Sequence, residues 1–139
     1  MEKQVSINWV DSTLMVGADS KGSTLVMGGW EGKEPEDWKG LSASDMLMLS
    51  AAGCSTYDLA KILTKQKQPI EGIEVTVNGT KKDEYPQIFT KMHIHYKVKG
   101  DVSEQKVAKA IELSETTYCS VINTLRPTVE FELTYEIVK

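Results

Sequence analysis

The sequence predicts an α+β fold in which antiparallel sheets pack on one long, buried central helix. Three patterns carry that expectation. From Ser42 to Leu63, nearly every position between Met46 and Cys54 is apolar or small, and a helix without a polar face must be buried. Two long alternating stretches follow, Ile73 to Asn78 and Ile88 to Val98, each with one apolar and one polar face, as half-buried antiparallel strands require. An amphipathic helical stretch and a last alternating strand complete the set. One sheet and one amphipathic helix leave part of the central helix bare, so a second copy of the chain is expected to cover it.

Taken in order, Val5, Ile7 and Trp9 alternate with polar residues, Asp11 and Ser12 interrupt, and Leu14 to Val16 resume. With a turn at Ser20 to Ser23 and an apolar run from Thr24 to Met27, this reads as a three-stranded meander. Gly28 to Gly40, which holds Trp30 and Trp38, has neither helical nor strand period and reads as a loop. Its tryptophans either lid a pocket or cover the core edge. Ser42 and Asp45 make a Ser-x-x-Asp start signal for the central helix, and Pro69 follows its end. Lys81 to Pro86 supply the hairpin turn. Beyond it, His93 and His95 fall on the polar face with Phe89, Lys91 and Lys97; with no third ligand nearby, the pair reads as a solvated face. Ser103 is the expected N-cap of the amphipathic helix, with Val107, Ala110, Ile111 and Ser114 along one stripe. A short third helix, capped by Thr116 or Thr117, carries Cys119 and stops before Pro127. Val129 to Ile137 then alternate as a final strand with an acidic outer face.

A chain of 139 residues with 40% hydrophobic content supports one core, read as a single domain over 1–139. A formal charge of -4 and scattered lysines argue against a nucleic-acid partner. The start MEKQVSINWV has no basic cluster or apolar segment, and no run approaches a membrane span, so no membrane association and a cytoplasmic location are expected.

Two cysteines, Cys54 and Cys119, are too few for a disulfide scaffold, and neither sits in a CxxC motif or at metal-ligand spacing. No metal and no cofactor are expected. From the residues alone, the thiols are either small buried hydrophobes or a reactive pair. Ser50-Ala51-Ala52-Gly53 carries little bulk, so another backbone can approach closely just before Cys54. Cys119, placed in the first turn of a capped helix, is expected to be alkylated faster than Cys54, which lies far from the amides at its own helix start.

The stretches SASDMLMLSAAGCS at Cys54, PQIFTKMHIHYKVKG, and AIELSETTYCSV at Cys119 occur in an order and spacing similar to the OsmC/Ohr superfamily, and within it to the OsmC-like, YhfA-type branch. The resemblance covers most of the chain. It implies an OsmC-like fold and an intertwined homodimer, with the cysteine helices at its centre and each active site at the subunit interface. It also implies thiol-dependent, peroxiredoxin-like reduction of organic hydroperoxides, with Cys54 peroxidatic and Cys119 resolving. The implied partners are a small apolar hydroperoxide or other small molecule and an external dithiol reductant. The activating arginine and glutamate of peroxidatic members have no counterpart: Arg126 is the only arginine, and Ser44, with Asp45 beside it, occupies the glutamate position. Ser44 and Asp45 are therefore the candidates at the activating position. The alternative reading is a non-catalytic small-molecule-binding or structural dimer.

Overall fold

The computed structural model describes residues 1–28 and 40–139. The body of the Gly28 to Gly40 loop, with Trp30 and Trp38, lies outside the described residues. The chain divides into two compact units, Met1–Leu47 and Met48–Lys139.

In the first unit, β1 (Val5–Asp11), β2 (Leu14–Asp19) and β3 (Thr24–Met27) form the expected antiparallel meander. Ser12 takes φ 52° in the first turn, where the Trp9 indole N–H donates to its carbonyl at 2.9 Å. In the second turn the Asp19 carboxylate accepts the Lys21 and Ser23 backbone N–H groups at 2.8 and 2.9 Å, the local bond that makes Asp a turn residue. Those N–H groups hold its carboxyl below the usual carboxylate range.

Helix α1 (Ala43–Lys65) starts at the signal read in the sequence: Ser42 Oγ accepts the Asp45 N–H at 3.1 Å. It stops where Lys67 takes φ 58°, the Gln68 N–H reaches the Leu63 carbonyl at 2.9 Å and Pro69 removes the next donor. Within one chain α1 is buried only along the stripe Ala51, Ala52, Ser55, Leu59 and Leu63. Leu49, Gly53 and Tyr57 remain exposed, so the fully buried helix of the sequence reading is not achieved by a single copy.

The sheet of the second unit contains β4 (Ile70–Lys81), β5 (Phe89–Gly100) and β6 (Glu130–Val138) in that spatial order. Strands β4 and β5 are antiparallel, but β6 runs parallel to β5, so this sheet is mixed where an antiparallel one was expected. A parallel pair needs a long crossover. It is supplied by α2 (Glu104–Leu113), a π-helical turn (Ser114–Tyr118) and α3 (Ser120–Leu125). Ser103 caps α2 as predicted, its Oγ accepting the Lys106 N–H at 3.4 Å.

The register sets Lys91 opposite Glu130, His93 opposite Glu132 and Lys97 opposite Glu136. A basic row thus faces an acidic row on the outer side of the sheet. Lys91 pairs with Glu132 at 3.0 Å, and His93 Nε2 and His95 Nδ1 both reach Thr134 Oγ1, at 2.7 and 2.8 Å. The opposite row of β5, Met92, Ile94, Tyr96 and Val98, is fully buried in a core with Leu59, Leu63, Val107 and Ala110. Phe89 belongs to that core rather than to the polar face. A bulge pairs Lys81 with Phe89 and Thr80 with Lys91, leaving Thr90 as the extra residue, and this turns Phe89 inward and Ile88 outward.

Gly100 ends β5 at φ +134°, where an added Cβ would collide with the Pro69 carbonyl and lie 3.3 Å from the Glu71 nitrogen. Gly100→Ala is expected to destabilise the fold by about 2 kcal/mol or more, since both the backbone region and the space exclude a side chain. A lower urea midpoint at unchanged denaturant slope reports it.

Candidate functional site

Cys54 and Asp58 stand four residues apart on α1 and so share a face. Ser55, fully buried, lies further round the same side, three residues before Asp58. The facing segment is the π-helical turn, in which the Cys119 N–H donates to the Ser114 carbonyl at 2.8 Å, five residues back. Such turns are uncommon and recur at functional sites.

After the turn, Cys119 adopts an extended conformation, φ -77° and ψ 103°, and is itself the N-cap of α3: its Sγ accepts the Ile122 N–H at 3.4 Å. The expected caps, Thr116 and Thr117, lie within the π-helical turn instead, and Thr116 Oγ1 donates to the Glu112 carbonyl at 2.8 Å. Asn123 Nδ2 donates to the carbonyls of Glu115 and Cys119 at 3.0 and 2.8 Å, and Arg126 Nη2 donates to that of Glu115 at 2.6 Å. Arg126 also pairs with the Glu115 carboxylate at 3.6 Å. The chain's one arginine thus fixes the turn that presents Cys119.

This folding brings the two predicted cysteines together. Cys54 Sγ, Cys119 Sγ and a carboxylate oxygen of Asp58 all lie within 4.8 Å of one another. Cys119 is fully buried, while Cys54 and Asp58 are half-buried. Ser44 and Asp45 occupy the first turn of α1, in the other compact unit, and Asp45 is exposed. Asp58 was not singled out from the sequence. Its only signal there is the Cys-x-x-x-Asp spacing on a helix, which acquires meaning once Cys119 is set against that face.

A buried chain of hydroxyls leads away from Asp58. Ser114 Oγ donates to Asp58 Oδ2 at 2.8 Å and lies 3.1 Å from Ser55 Oγ, which in turn hydrogen-bonds the Tyr96 hydroxyl. Each hydroxyl has one proton, so one direction satisfies every member: Tyr96 to Ser55, Ser55 to Ser114, Ser114 to Asp58. Burial pushes the Tyr96 phenol up to about 12, which keeps it a donor.

Burial likewise pushes the Cys119 thiol up to about 12; the nearby Cys54 thiol adds to this, and the Ile122 N–H opposes it. This burial runs against the expectation that Cys119 is the more reactive thiol. Desolvation outweighs the amides at the start of a short helix.

Both Cys119 and Tyr96 hold their protons more tightly in the fold than at their ordinary values of 9.0 and 10.0. Their contribution to stability is complete below those values and is lost as pH rises towards about 12. The urea midpoint is expected to fall as pH is raised above 9, and Cys119→Ala to show a shallower fall.

The model for OsmC-like proteins matches residues 34–134. Protein YhfA of Escherichia coli K12 is 32% identical over 136 residues, which are 97% of this chain and 98% of that protein. A hypothetical protein from Aquifex aeolicus VF5 superposes with a TM-score of 0.87 at 26% identity, covering 99% of this chain and 96% of the other. An organic hydroperoxide resistance protein, OsmC, from Legionella pneumophila superposes with a TM-score of 0.72 at 12% identity, over 98% and 97% of the two chains; that likeness is one of fold. Among the described residues, no helix is long and apolar enough to cross a membrane.

Proposed function

We propose that this chain, which belongs to the OsmC-like protein family, reduces organic hydroperoxides through Cys54 and Cys119. The observation that carries the reading is the approach of the two sulfurs to within 4.8 Å from separate elements of the fold. Cys54, the more accessible thiol, is the peroxidatic residue in this reading. Its thiolate attacks one peroxide oxygen, the O–O bond breaks, the alcohol leaves with a proton, and Cys54 becomes a sulfenic acid. Cys119 then attacks that sulfur. A disulfide forms, and the sulfenic oxygen leaves as water with the Cys119 proton. An external dithiol restores both thiols by exchange.

In place of the family glutamate, Asp58 is the base within reach of both sulfurs, and a carboxylate at such range tightens into hydrogen-bond contact when substrate binds. The whole chain, 1–139, acts as one OsmC-like domain in this reading, located in the cytoplasm and active in defence against oxidative stress. Homodimer formation is supported by apolar side chains left bare in each unit: Val5, Ile7 and Trp9 in the first, and Leu49, Tyr57 and Tyr118 in the second.

An organic hydroperoxide added to the reduced, metal-free protein is expected to remove two hydrogens from the intact mass. Cys54→Ser abolishes that change, and Cys119→Ser yields a sulfenic acid trapped by dimedone. Two free thiols at excess peroxide would leave the non-catalytic binding dimer as the reading. Under iodoacetamide near neutral pH, Cys54 is expected to be modified before Cys119, as peptide mapping over time reports. Sedimentation at low concentration is expected to show a dimer, and a folded monomer as the main species would refute that part.

A further inference from the structure

We propose that Cys54, Asp58 and Cys119 form a binding site for one thiophilic divalent cation of the zinc class. Each residue offers one ligand atom, and all three atoms already lie within 4.8 Å of one another. Around a tetrahedral zinc ion, sulfur and oxygen donors stand about 3.3–3.8 Å apart. Closing the remaining gap takes little more than rotation of side chains.

The donor set selects the metal. Two thiolates favour a borderline or soft cation over magnesium or calcium, and the carboxylate suits zinc better than copper(I). Three protein ligands leave a fourth position for water.

The surroundings resemble the outer shell that metal ligands need. Asp58 Oδ2 is held by the Ser114 hydroxyl at 2.8 Å, and Ser114 is backed by Ser55 and Tyr96. The carboxylate is thus oriented, and among the described residues no hydrogen bond engages its other oxygen. The Ile122 N–H points at Cys119 Sγ from 3.4 Å, which favours the thiolate a metal requires. Among the described residues no ion pair reaches Asp58, and Arg126 is engaged by Glu115, so a cation that displaces the thiol protons on binding meets no competing charged partner at the carboxylate. Sequence spacing hides the site, because Cys119 joins the α1 pair only through the crossover between β5 and β6.

The cation and the disulfide make competing claims on the same two sulfurs. If metal fills the site, both electron pairs are committed to it. Oxidation by a hydroperoxide would place one of those pairs in the S–S bond and pass the other to the peroxide, which becomes alcohol and water with two protons from solvent, and it would release the cation.

The test is cobalt(II) titration of the reduced full-length protein. One equivalent per chain is expected to give tetrahedral ligand-field bands and a thiolate-to-cobalt charge-transfer band, and zinc is expected to displace it. Cys54→Ser, Cys119→Ser and Asp58→Asn should each weaken binding by at least about tenfold, and Ser114→Ala by roughly tenfold as an outer-shell change. Protein carrying the Cys54 to Cys119 disulfide should not bind. Absence of the charge-transfer band in wild-type protein overturns the site without reliance on any variant, and so does cobalt affinity that survives Cys119→Ser. Disulfide formation in metal-free protein is scored separately by mass, so loss of the metal site and loss of the peroxidase reading are distinct results.

Discussion

The bond between Tyr96 and Ser55 is the constraint around which the second unit is arranged. Tyr96 sits in the buried row of β5, where its ring adds to the core but its hydroxyl cannot reach water. An unpaired buried hydroxyl costs about 1–3 kcal/mol, and Ser55 on α1 removes that cost. Accepting this partner fixes the rotation of α1, because Ser55 must face the sheet. Its neighbours Cys54 and Asp58 are then carried to the edge of the same face, towards the segment that bears Ser114 and Cys119. The polar chain is extended rather than closed by Ser114, so it ends on a carboxylate beside two thiols.

Most of the architecture is readable from residues whose influence is local. Ser42 and Ser103 cap the helices they were assigned, and Ile73, Val75, Val77, Met92, Ile94, Tyr96 and Val98 point to the core by simple alternation. The features that escaped reading arise from pairing between distant segments. The parallel direction of β6 depends on how the helical crossover returns the chain to β5, which neither strand declares alone. The bulge at Thr90 is set by the register with β4, and that register decides which of Ile88 and Phe89 is buried.

The site divides in the same way. Both cysteines stand out by rarity and by the small residues before Cys54, so their candidacy needed no structure. Asp58 looks like an ordinary helical acid until Cys119 is placed against it. The chemistry of Cys119 is less legible: the helix start that would favour a thiolate is there, with Cys119 as its cap, yet the core closes over the sulfur. Local dipoles can be inferred from a sequence, whereas desolvation comes from residues remote along the chain.

The π-helical turn has a further consequence as a phase shift. An α-helix advances about 100° per residue, and the five-residue hydrogen bond from Cys119 to Ser114 absorbs one residue more than a regular turn does. Ser114 can therefore face Ser55 and Asp58 while Cys119 is delivered to the same place. Wound as plain α-helix, the same five-residue spacing would set Cys119 about 140° from Ser114 around the axis and swing the thiol away from its partner. The wide turn between Ser114 and Cys119 is thus a geometric requirement of the five-residue spacing, and it holds whether the two sulfurs serve oxidation or a metal ion.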